Sequence, residues 1–100
     1  MSKFIVAIDV GTREQRNAIT IMFQSKGWQL WHWMEDVWLL ALVPDNVSAH
    51  QISEEMAQNP LIGQKTRVVI KLPESVPSTY WGHCAKDAWE WMARFWGGPG

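Results

Sequence analysis

Apolar residues recur at two periods along this chain, and the switches between them mark its elements. Residues 3–10, KFIVAIDV, form an apolar, β-branched run interrupted only by Lys3 and Asp9. This predicts a central strand covered on both faces. Gly11 turns the chain, Thr12 and Gln15 have capping-box spacing, and Ile19, Met22 and Phe23 recur at helical spacing with Ala18 on the flank. A helix follows, closed at Gly27 by a left-handed cap. Residues 28–34 and 37–43 read as two strands around a Glu35-Asp36 turn, and Pro44 ends the hairpin. Ser48 with Gln51 repeats the capping box, and Val47 with Ile52 fits a hydrophobic staple. That helix carries Ile52, Met56 and Ala57 inward and stops at Asn59-Pro60. Residues 67–72, RVVIKL, form a fourth strand, and Pro73 and Pro77 bound a loop. A last helix over 80–96 buries Ala85, Ala88, Trp89, Met92 and Trp96, and a flexible tail, GGPG, follows at 97–100.

The first six elements follow the βαββαβ order. The expected fold is therefore α+β and ferredoxin-like: an antiparallel sheet in one domain over 1–96, with an additional C-terminal helix. Such a sheet carries its first two helices on one face and leaves the other open.

The hairpin, WQLWHWMEDVWLLALV, sharpens this problem. With Glu35-Asp36 as the turn, opposite residues place Trp31, Trp33, Trp38, Leu40, Gln29 and Leu42 on one face. Leu30, His32, Met34, Val37, Leu39 and Ala41 share the other, so both faces are mostly apolar. An apolar face this large needs a lid. Either the last helix or a second copy of the chain supplies it. The expectation is a homodimer that meets its partner through Trp31, Trp33, Trp38 and Leu40, with Trp91 also free to contact the partner chain. Ala41 on the other face would let a helix approach.

Composition narrows the functional classes. Nine basic against ten acidic residues give a net charge of −1, so no global field attracts nucleic acid or an anionic membrane. The hairpin has no lysine or arginine, which argues against a base-stacking platform. The single cysteine, Cys84, excludes an internal disulfide and a multi-cysteine zinc site, and reads as a small apolar filler. No segment reads as a signal peptide or a membrane span, so a cytoplasmic protein without membrane contact is expected.

The strand ending in Ile8-Asp9, the arginine-containing helix closing at Lys26-Gly27 and the run from Trp31 to Leu39 together resemble the SinR-like proteins of the CRISPR-associated Cas-two-like superfamily. The segment Ile52-Ser53-Glu54-Glu55 and the strand over 67–72 fit in order. The resemblance implies a ferredoxin-like homodimer. In CRISPR-associated relatives it also implies an aspartate at the end of strand one, linked to divalent-metal nuclease activity. Asp9 matches that position, as catalytic residue and metal ligand, and Arg16 matches the basic residue that follows it.

Phosphodiester cleavage with Mg²⁺ or Mn²⁺ would need two Asp9 carboxylates meeting across a dimer axis, with Arg13 and Arg16 on the phosphate. The simpler reading is that Asp9 accepts backbone N–H groups or pairs with Arg13 or Arg16. His32, His50 and His83 show no metal-ligand spacing.

The expected function is a small non-enzymatic interaction or adaptor protein without cofactor, associated with the nucleic-acid machinery of defence or mobile elements. Its expected partners are a second copy of itself and nucleic acid or a nucleic-acid-processing complex. A weak nuclease is the first alternative. The second is an inhibitor of a larger complex, acting through Glu54, Glu55 and the aromatic rim.

Overall fold

The computed structural model describes residues 1–73 and 80–97. The loop expected up to Pro77 and the tail beyond Gly97 lie outside the described residues. The elements are β1 (Ser2–Ile8), α1 (Arg13–Gln24), β2 (Gln29–Met34), β3 (Val37–Val43), α2 (Ala49–Ala57), β4 (Arg67–Pro73) and α3 (Lys86–Trp91). A π-helical turn, Met92–Trp96, continues α3. The chain is α+β: four antiparallel strands in the order β2-β3-β1-β4, with β1 in the interior as its continuous apolar run predicted.

Both capping boxes form. The Gln15 amide N–H donates to the Thr12 hydroxyl and the Gln15 side chain accepts from the Thr12 N–H, each at 3.2 Å. Ser48 and Gln51 repeat this at 3.0 and 2.7 Å. These bonds satisfy helix N–H groups that have no partner within the helix. Gly27 adopts φ +75°, the left-handed turn that glycine takes without steric cost.

One core lies between the sheet and the pair α1 and α2. Phe4, Val6 and Ile8 of β1 meet Ile19 and Phe23 of α1 and Ile52 and Met56 of α2, with Trp38, Leu40 and Val43 from β3. A second core lies on the opposite face, where Trp31 and Leu39 pack against Ala88, Met92 and Trp96. The last helix is therefore a lid for that face.

The hairpin faces differ from the sequence expectation. Met34 pairs with Val37 across the Glu35-Asp36 turn, but Trp31 pairs with Leu39, Leu30 with Leu40 and Gln29 with Ala41. His32 and Trp33 thus oppose Trp38 alone, as in a β-bulge. One extra residue inverts the face of everything beyond it, because side chains alternate with period two. Trp31 and Trp38 consequently point to opposite faces. Trp38 and Leu40 are fully buried beneath the first two helices, and Trp31 is buried beneath α3.

A second bulge separates the pairs Ser2–Val43 and Phe4–Leu40. Leu42 is the extra residue and carries φ +56°. The bulge returns Val43 to the same core as Leu40. A left-handed leucine costs roughly 1–2 kcal/mol, which exceeds the roughly 0.5–1 kcal/mol that glycine loses in conformational entropy. Relief of this strain is expected to offset most of the apolar burial that Leu42→Gly removes from a side chain only 41% exposed, leaving stability within about 1 kcal/mol of the unaltered chain. Urea denaturation checks this, and a loss above about 2 kcal/mol would count against strain at the bulge.

The last helix starts later than predicted, at Lys86 rather than near Tyr80. Its N-cap, Ala85, is extended and offers no side-chain hydrogen bond. Tyr80 and Trp81 instead pack on Trp89, at 5.5 and 6.1 Å between ring centroids. After Trp91 the helix widens, and the Gly97 N–H donates to the Met92 carbonyl at 3.1 Å. Four residues overshoot an α-helical turn by about 40°, and a wider turn offsets this. Ala88, Met92 and Trp96, four apart, thereby stay on the buried line.

Lys3, which the sequence suggested was an interruption in β1, clamps this helix. It is buried, its ammonium donates to the Trp96 carbonyl at 2.6 Å, and it lies 5.7 Å from the Trp96 ring centroid. A cation at the carbonyl end of a helix is electrostatically favourable.

Candidate interaction site

The residues expected to do nuclease chemistry are placed apart from one another. Asp9 is exposed just past β1, where its backbone N–H donates to the Thr66 carbonyl at 2.9 Å. It borders a shallow depression of about 390 Å³ shared with Asp36, Thr66 and Arg67. Arg67 is committed elsewhere, to the Ser53 hydroxyl at 2.9 Å and to the carbonyls of Ser53, Gly63 and Lys65 at 2.9–3.1 Å. Arg16 does not pair with Asp9. It reaches Glu35 at 3.4 Å and Asp36 at 3.6 Å, tying α1 to the hairpin turn. Arg13 is exposed on the first turn of α1. Among the described residues, no group of three His, Cys, Asp or Glu side chains converges to hold a metal ion. The Asp9 depression therefore brings together two carboxylates, one already bound to arginine.

The three histidines are separated. His32 lies flat on Trp38, 4.0 Å between centroids and 5° from parallel, with its Nδ1 2.9 Å from the Val37 carbonyl. His50 faces Glu54 at 3.6 Å. Glu55 is held by Lys26 at 2.6 Å, so the pair of glutamates is not a bare acidic patch. Hydrogen bonding from the Met1 amino group, with a second bond from the Ser2 hydroxyl, holds Asp45's carboxyl below its ordinary range.

Exposed aromatic side chains gather near the hairpin turn, on the face of the sheet that α3 covers. An open cleft of about 450 Å³ lies between the end of β2, residues 80–85 and the start of α3. Its floor is Trp31, Leu39 and Met92 of the second core. Trp33 and Met34 form one wall, 51% and 58% exposed, because the bulge turns this end of β2 away from the core. Trp81 projects from the other wall, 81% exposed. Among the described residues, no lysine, arginine, aspartate or glutamate lines the cleft. Its polar groups are those of Tyr80, His83 and Cys84 with the indole N–H donors, so the surface combines large apolar rings with a few hydrogen-bonding tips.

The residues expected at an interface divide accordingly. Trp33 is at the cleft rim. Trp31, Trp38 and Leu40 are buried within the chain. Trp91 is partly buried against Phe95 and Trp96, 5.3 and 6.4 Å between centroids, and its buried indole N–H has no hydrogen-bond partner among the described residues. Trp81 was missed by sequence reasoning because placing it inside a continuous helix hid its position beyond the helix start. Its signal was Gly82, a poor helix residue immediately after it. Among the described residues, no helix is long and apolar enough to cross a membrane.

No family model, curated protein or solved structure matches the chain.

Proposed function

We propose that this chain is a small homodimeric interaction or adaptor protein that docks a protein partner in the aromatic cleft, in association with nucleic-acid machinery of defence or mobile elements. The observation that carries the docking role is the exposed apolar set: Trp33, Met34 and Trp81 stand around a hollow with no charged side chain among the described residues, instead of packing into either core. Large aromatic side chains around a pocket are the usual anchors of protein interfaces. The lack of basic side chains favours a protein over a phosphate backbone.

The strand order β2-β3-β1-β4, with α1 and α2 over one face, supports the ferredoxin-like reading, with α3 an addition on the other face. That topology is compatible with the resemblance to SinR-like and Cas-two-like proteins, on which the association with nucleic-acid machinery rests. The nuclease alternative draws no comparable support. Arg16 is committed to the hairpin turn, and no third ligand joins Asp9 and Asp36 among the described residues.

The test is affinity capture from the source cells after nuclease treatment, followed by titration of the purified partner. Trp33→Ser combined with Trp81→Ser is expected to weaken that partner at least tenfold while circular dichroism stays unchanged, since two interface anchors are lost. Unaltered affinity in the double variant, or capture that depends entirely on nucleic acid, would overturn the docking role.

A further inference from the structure

The two edges of the sheet are built differently. The β2 edge is broken by the His32–Trp33 bulge, a common way of preventing edge-to-edge pairing. The β4 edge is regular: all seven residues from Arg67 to Pro73 pair with β1 without a shift. Among the described residues no strand lies beyond it. Its outer backbone groups form an open template for another strand.

Charged residues commonly guard such an edge, yet both charges of β4 are turned to internal use. Arg67 is bound to Ser53, Gly63 and Lys65, and Lys71 donates to the carbonyls of Asp45 and Val47 at 2.7 and 2.8 Å. On the opposite face of the strand, Val68 and Ile70 are 56% and 44% exposed, while Leu72 packs beside the second core. The lid formed by α3 does not cover this end of the sheet.

We propose that β4 pairs with β4 of a second copy, antiparallel about a twofold axis at Ile70, to make a continuous eight-stranded sheet. This rests on the homodimer part of the reading above and not on the cleft. The sequence of β4 suits itself in this register. Residues related by the axis are Ile70 with Ile70, Val68 with Leu72, Val69 with Lys71 and Arg67 with Pro73. The exposed apolar stripe meets its own copy, all seven residues overlap, and no like charges face each other. Shifting the axis to Val69 would instead set Arg67 against Lys71. A single pair of seven-residue strands buries an area at the low end of specific interfaces, so dissociation in the micromolar range is expected.

Sedimentation equilibrium from about 1 to 500 μM tests this, with micromolar dimerisation expected from the area argument. Ile70→Lys and Ile70→Glu should each be folded monomers throughout, because each sets like charges opposite one another at the axis. Their equimolar mixture should recover a dimer, since Ile70 opposes only itself in this register. Ile21→Lys, on the exposed side of α1, should dimerise as the unaltered chain does. A monomeric unaltered chain, dimerisation of either single Ile70 variant, or no recovery on mixing would each overturn the proposal. If Trp33→Ser with Trp81→Ser abolishes the dimer while the Ile70 variants keep it, the cleft is the self-interface and β4 is not.

Discussion

Trp38→Ala is expected to cost about 3–5 kcal/mol of folding stability, the range for emptying a tryptophan-sized core site. Trp38 is completely buried in the core shared by the sheet, α1 and α2. Its indole N–H donates to the Thr20 hydroxyl at 3.0 Å, and His32 stacks on its ring. Truncation therefore removes apolar burial, leaves the hydroxyl without its donor and uncovers the face of a histidine. A domain of ordinary stability has roughly 5–15 kcal/mol in total, so the variant should lie near its unfolding threshold. Chemical denaturation followed by circular dichroism gives the measurement. A loss below about 1 kcal/mol would mean that the ring is not part of the core.

Trp31→Ala should be comparable in size but different in kind. Trp31 lies on the other face, packs against Ala88, Met92 and Trp96, and donates to the Ala88 carbonyl at 3.3 Å. Its loss removes the platform on which α3 sits, again a change of about 3–5 kcal/mol at a buried aromatic. The first core does not contain Trp31, so the damage should be partial. Hydrogen exchange is expected to accelerate in α3 and residues 92–96, while amides of β1, α1 and α2 keep their protection. The aromatic cleft, which has Trp31 in its floor, should open with it. Uniform acceleration across all elements would show that the two cores unfold as one unit and would contradict the separation.

These two variants bear on the point where sequence reasoning went astray. Four strands and two capped helices were legible because each has a local cause. Thr12 with Gln15 and Ser48 with Gln51 mark helix starts whatever surrounds them, and the β-branched run after Lys3 has no alternative of comparable strength. The faces of the hairpin were not legible. Face assignment by alternation needs polar residues on one side, and β2 and β3 are apolar on both. With no such mark, a bulge at His32–Trp33 leaves the sequence pattern as plausible as a regular ladder does. The candidate site suffered for the same reason. The sequence places Trp33 at a dimer interface on one face with Trp31 and Trp38, but the bulge sends those two to separate cores and leaves Trp33 at the cleft rim.

The start of α3 shows a second limit. Stripe spacing from Ala88 to Trp96 is readable, but the segment before it contains no strong cap, so the sequence reads as helical back to Tyr80. Tertiary contacts chose the boundary, since Tyr80 and Trp81 gain more by packing on Trp89 than by entering a helix through Gly82. Lys3 belongs to the same class. A lysine in a central strand reads as a defect until the end of a helix ninety residues later is brought to it.

The sequence by itself determined the number and order of the strands, the two capped helices and the presence of more apolar hairpin surface than one face can bury. These are local properties, set by side-chain periodicity and by hydrogen bonds within a few residues. Only the tertiary structure decided which tryptophan belongs to which core, that α3 and not a partner covers Trp31, and that Trp33 and Trp81 are left around an open cleft. Those outcomes depend on one extra residue in a ladder and on contacts between distant segments, neither of which leaves a periodic trace in the chain.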